Sequence, residues 1–153
     1  MATLHDALSA VTAGIEAALA AASGGPPPDV DQHPGRFTEA ELGALVLKKR
    51  AVRVAIEAVP QVQVTGPGAL QAQLLLSAFV ICGDTLTAPR HQAALALVHQ
   101  LLQAIPHQRW GTSYLRPALP ASLQVDNLYG GEIGSRGVAL WAISWQQGFI
   151  DHH

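Results

Sequence analysis

The chain has 153 residues, 49% of them apolar and only 13% charged, with a formal net charge of −2 and a single cysteine. An average soluble domain carries about 25% charged residues, so this one is short of solvated surface, while its length suits one domain with a real core. Nine Lys and Arg against eleven Asp and Glu leave no long-range field to attract nucleic acid, and one thiol excludes an intrachain disulfide framework or a thiolate metal cluster. The apolar stretch Leu74–Cys82 is too short to span a bilayer. Met1–Ser23 lacks a basic start and contains Asp6 and Glu16, unlike a secretory signal. These features predict a single domain over residues 1–153, made in the cytoplasm, with no membrane partner.

In chain order, Leu4, Leu8, Val11, Ile15 and Leu19 recur at helical spacing, so residues 1–23 predict an amphipathic helix with Thr3 as its cap. Ser23-Gly24-Gly25 stops it, and four prolines between residues 24 and 35 predict a loop over 24–36. The body of the domain is expected over 37–150. Thr38-Glu39-Ala40-Glu41 is a capping box flanked by the staple positions Phe37 and Leu42, which predicts a second, short helix. From Ala51 the period changes to two: Val52, Val54, Ile56 and Ala58 face one way, Arg53 and Glu57 the other. Pro60–Gly68 is expected to turn, and Ala69–Cys82 to form a long second strand, antiparallel to the first. Its polar odd positions, Gln71 and Gln73, are expected beside Arg53 and Glu57. Thr87-Ala88-Pro89 opens a third helix with Ala94, Leu95, Val98, Leu101, Leu102 and Ile105 on its apolar face, ended by Pro106. Ser122–Tyr129 and Val138–Gln147 then read as strands joined by the glycine-rich Gly130–Gly137. The order α-α-β-β-α-β-β predicts an α+β domain, with helices on a mostly antiparallel sheet of about four strands.

No catalytic constellation stands out. Of the seven histidines, His91 and His99 lie eight apart on one helix, too far to share an ion, His107 has no acidic or thiolate neighbour in sequence, and His5 has only the adjacent Asp6, which makes no metal-ligand spacing. Cys82 sits in an apolar strand without an adjacent base. The glycine-rich turn joins two strands, so it matches no phosphate-binding fingerprint. The expectation is therefore a protein that is not an enzyme, with no catalytic residues, metal or cofactor. Lys48, Lys49, Arg50 and Arg53 form the densest charge, either a solvated rim or a patch facing an acidic partner or passing DNA.

The last strand is apolar on both sides: Val138, Leu140 and Ala142 on one, Ala139, Trp141, Ile143 and Trp145 on the other. A half-solvated strand should alternate. Either a helix of the same chain covers the tryptophan side, or a partner does. With the low charge and a mean hydropathy of +0.22, self-assembly is the expectation, and Trp141, Ile143, Trp145, Tyr129, Gly130, Gly131, Glu132 and Arg136 are the candidate contact residues. A small-ligand or peptide-binding module using the Trp141/Trp145 face is the alternative.

Four stretches carry a family likeness: GRFTEAELGALVLKKRAVRVAI (Gly35–Ile56), QAQLLLSAFVICGD (Gln71–Asp84), ALALVHQLLQAIPHQRWG (Ala94–Gly111) and NLYGGEIGSRGVALWAISWQQ (Asn127–Gln147). In these the chain resembles the small tail-completion, or tail terminator, proteins of Mu-like phages and prophages. The resemblance implies an α+β subunit of a ring, commonly a hexamer, that caps the tail tube, stops its growth and offers the head a docking surface. It implies a location at the head-proximal end of the virion tail after assembly in the host cytoplasm. The implied partners are the subunit itself, the tail tube protein, head–tail connector proteins and genomic DNA passing non-specifically through the lumen. Lys48, Lys49, Arg50 and Arg53 are candidates for the lumen or rim. The Pro-rich Gly24–Gly35 segment has no counterpart in the likeness.

Overall fold

The computed structural model describes residues 2–22, 27–35, 37–38, 40–41, 44, 50–64, 66, 69–84, 89–128 and 138–151. Helix α1 spans Leu4–Ala22. Its start is fixed reciprocally: the Thr3 amide donates to the Asp6 carboxylate at 2.8 Å and the Asp6 amide to the Thr3 hydroxyl at 3.0 Å, which satisfies two amides that a helix start leaves open. Ala7, Val11, Ile15 and Leu19 are its buried line, so Ala7 stands where Leu4 was expected, and Leu4 is exposed. Helix α2 spans Arg90–Ala104 and buries Ala94, Leu97, Val98 and Leu101. Leu97 takes the place expected of Leu95, which is half exposed. Pro89 is the N-cap residue rather than part of the first turn, and the Asp84 carboxylate accepts from the Arg90 amide at 2.8 Å.

Five strands form one mixed sheet: β1 Asp29–Gln32, β2 Arg50–Val64, β3 Leu70–Cys82, β4 Gln124–Asn127 and β5 Ala139–Asp151, in the spatial order β1-β2-β3-β5-β4. β1 runs parallel to β2, and every other pair is antiparallel. The α+β class and the β2–β3 pairing are as the periodicity predicts; the strand number is corrected from four to five. The added strand, β1, lies in the segment expected as a loop. Prolines hold backbone extended, and here extension ends in pairing, Val30 opposite Val52, with the His33 amide donating to the Val54 carbonyl at 2.9 Å. β2 also outruns its expected end, because Pro60 sits inside it. The register shifts between Ile56 and Ala58 and again between Ala58 and Gln61. Proline costs no ladder bond where a strand's outer side has no partner.

Both helices cover one face of the sheet. Beneath them lie Val52, Val54, Leu74, Leu76, Ala78, Val80, Ile143, Trp145 and Phe149. The opposite face is apolar at one end only, where Ala51, Ala55, Phe79, Ile81, Val138, Leu140 and Ala142 cluster under Phe37. In the middle of that face the Ser77 and Ser144 hydroxyls bond each other at 2.9 Å. At the far end Gln71 and Gln73 pair with Gln63 and Gln61, not with Arg53 and Glu57, because antiparallel pairing sets the start of β3 beside the end of β2. Arg53 lies opposite Phe79 instead. The capping box forms as expected: the Glu41 amide donates to the Thr38 hydroxyl at 3.1 Å, and residues 40, 41 and 44 are helical. Leu42 and the rest of that expected helix fall outside the described residues.

Candidate functional site

The helix-covered face is closed by one amide. Gln147 is fully buried, and its Oε1 accepts from the indole N–H groups of Trp145 and Trp110, each at 3.1 Å. Its Nε2 donates to the carbonyls of Gln108 and Arg116, at 2.8 and 2.7 Å. Four bonds exhaust the side chain's capacity, and they tie β5 to the 105–119 segment. Trp110 in turn lies on α1: a Cβ built on Gly14 would meet its ring at 2.4 Å. A side chain at residue 14 has no room there.

This geometry corrects the expected contact surface. Trp145 and Ile143 are both fully buried inside the chain's own core, and Trp141 is half-buried on the same face. The tryptophan side is the one the helices cover, so Trp145 and Ile143 offer nothing to a partner, a peptide or a small ligand. Tyr129, Gly130, Gly131, Glu132 and Arg136 lie outside the described residues, as do Lys48 and Lys49. Arg50 opens β2, half-buried. Arg53 is also corrected, from a rim charge to a structural tie. It is 8% exposed, and its guanidinium donates to the Asp29 carbonyl at 2.8 Å, the Asp29 carboxylate at 3.3 Å and the Val52 carbonyl at 3.1 Å. It fastens β1 to the sheet.

A second clasp sits at the exit of β1. The buried His33 accepts the Gly35 amide at Nδ1, 2.9 Å, which leaves the ring proton on Nε2, facing the Glu41 carboxylate at 2.6 Å. Phe37 stacks on the imidazole, centroids 3.9 Å apart, and meets Phe79 edge-on at 5.0 Å. The His33 hydrogen bond, with help from Thr38, holds the Glu41 carboxyl below its usual range.

What stays open is an edge. β1 covers β2 only from Ala51 to Val54. The 114–119 segment and β4 line the outer side of β5: Arg116 donates to Gly148, Leu119 to Gln146, and Ile150 to Tyr114. Nothing among the described residues lines β2 from Glu57 onward. Residues 60–64 are all exposed, Val62 at 54% and Val64 at 71%. Both valines are on the helix side of the sheet, opposite Ala72 and Leu70, but beyond the reach of the helices. The alternation Gln61-Val62-Gln63-Val64 was the signal available in the sequence, masked by the proline just before it. The surface also carries a groove of about 730 Å³ between the start of α1 and the end of β5, lined by Asp6, Ser9, Tyr114 and Asp151 among others.

Among the described residues no three His, Cys, Asp or Glu side chains gather as a metal set. Burial pushes the Cys82 thiol up to about 11, far from a reactive thiolate. His91 and His99 are both exposed on α2. No described helix is long and apolar enough to cross a membrane. No protein-family model matches this sequence, and no curated protein matches it either.

Proposed function

We propose that this chain is a structural subunit that assembles with copies of itself into a closed ring, as a tail terminator does at the end of a phage tail tube. The observation that carries the reading is the open outer side of β2, where eight residues from Glu57 to Val64 run past the end of β1 with two valines exposed. A long bare strand edge is a template for pairing with another chain, and soluble proteins keep such edges short or covered. Low charge supports the same reading, since 13% charged residues leave little surface to hold copies apart. The likeness to tail-completion proteins supplies the setting: a cap on the tube, contacts with tube and head–tail connector proteins, and a lumen that passes DNA. Arg53 drops out of the residues expected to face that lumen, because its guanidinium is committed to Asp29.

Sedimentation velocity on the purified chain at tens of micromolar, followed by negative-stain electron microscopy, tests this. A single discrete oligomer with a central hole is the expected result. A monomer at every concentration, or an open-ended series of sizes, overturns it.

A further inference from the structure

The geometry points to the contact that would build such an assembly: the open side of β2, Gln61–Gln63, pairs antiparallel with the outer side of β4, Gln124–Asp126, of a second copy. This rests on the self-assembly reading and names its interface.

Four observations converge on it. First, in every copy the sheet ends in two outer strands on opposite edges, and β4 is exposed at all four residues. The other stretch on that edge, 114–119, has its outer groups taken: Ala118 bonds both His107 and Gln108, and the Leu115 carbonyl accepts from Arg109. Second, strand directions agree. β2 and β5 point one way, β3 and β4 the other, so continuing the sheet into the next copy with the same face up sets β4 antiparallel to β2. Third, side-chain parity agrees. Val125 lies opposite Ile143, on the helix side, and is 37% exposed; Val62 and Val64 are on that same side. Pairing puts valine against valine there, and Gln124 and Asp126 beside Gln61 and Gln63 on the other side, with no like charges opposed. Fourth, the lengths agree to within a residue. In the register that sets Val62 opposite Val125, Gln61–Gln63 face Asp126–Gln124, and Pro60, with no N–H to offer, ends the pairing.

A head-to-tail contact is favoured over a two-fold one. Pairing β2 with its own copy would leave β4 open in both chains, and pairing β4 with itself would bring Asp126 toward its counterpart. One heterologous contact covers both edges, and such contacts close into rings. β4 is level with Val54 rather than Val62, a difference of six residues along β3, or roughly 20 Å. Successive copies are therefore staggered, and a closed sheet takes up stagger as strand tilt.

The test uses charge exchange at exposed positions, where the fold tolerates substitution. Val62→Lys and Val125→Glu are each expected to fall at least tenfold in association constant and to sediment as monomers where the parent assembles. Mixed at equal concentration, the two variants are expected to recover the parent's oligomer, because each supplies the edge the other lacks; the double variant Val62→Lys/Val125→Glu recovers it alone. Circular dichroism melts confirm that each single variant is folded. If Val125→Glu assembles like the parent while Val62→Lys does not, the contact is a two-fold β2 pairing and the inference falls, though self-assembly stands. If neither variant changes an oligomer that the parent forms, the edges are not the interface. If the parent is itself monomeric throughout, the ring reading falls with it.

Discussion

The two halves of β2 share a strand and a neighbour, yet Ala51–Ala55 are all buried and Gln61–Val64 are all exposed. β3 pairs with both halves, so the difference comes from the other sides. The first half has β1 on its outer edge, helices on one face and Phe37 near the other. Among the described residues the second half has only β3 as a strand neighbour. Side chains change in step, from alanine and valine to glutamine alternating with valine, and the change falls where the register slips twice around Ala58. Bulges increase local twist, which turns the second half out from under the helices. Coverage in a small domain is a local matter, and one strand can belong both to the core and to an interface.

The sharpest way to break the covered half is at its deepest side chain. Trp145→Asp replaces a fully buried indole with a carboxylate; the cavity alone costs about 3–5 kcal/mol and the stranded charge adds to it. The expected outcome is loss of the folded monomer by circular dichroism, whereas a soluble folded variant would return Trp145 to the surface. Next in size is Arg53→Met, which keeps the aliphatic stem but removes the guanidinium hydrogen bonds to the Asp29 carbonyl, the Asp29 carboxylate and the Val52 carbonyl, at about 1–3 kcal/mol. Urea unfolding reads the loss, and amide exchange should rise in β1 before the rest of the sheet.

A smaller effect belongs to acid. Glu41 is held below its usual range by His33 and then Thr38, and Asp6 by the Thr3 amide and hydroxyl. A carboxyl lowered on folding lends stability above its unfolded pKa and loses it as pH falls through the folded one. Thermal midpoints should therefore decline from about pH 4.5 downward, and Glu41→Gln should flatten part of that slope. Smallest is Val64→Lys on the open half: a surface change of this kind shifts stability by less than about 0.5 kcal/mol. A larger drop in the urea midpoint would mean that the valine is packed.

Much of the core was legible from periodicity. α1, β3 and the parity of β5 follow from spacing alone, and the capping bonds at Thr3 and Thr38 form where residue types put them. Which side of β5 would be covered could not be read, because both sides are apolar and only the helix placement decides. β1 was hidden for another reason: four residues between prolines pair in parallel with a strand about twenty positions later, a non-local contact that no local pattern encodes. Arg53 looked like surface charge because its partner, Asp29, belonged to that unseen strand. Gln147 left a fainter mark, one amide on the tryptophan side of an apolar strand. Indole bulk on a strand that is apolar on both sides does not report exposure, and Trp145 lies inside the core.

The bare backbone at Gly14 has an optical consequence. Trp110 rests its ring there while its N–H engages Gln147, so the emission of that single indole depends on helix, turn and last strand meeting at once. Phe substitutions at residues 141 and 145 would isolate it. Its wavelength maximum, followed during refolding, would then time the docking of α1 independently of the edges where assembly is proposed.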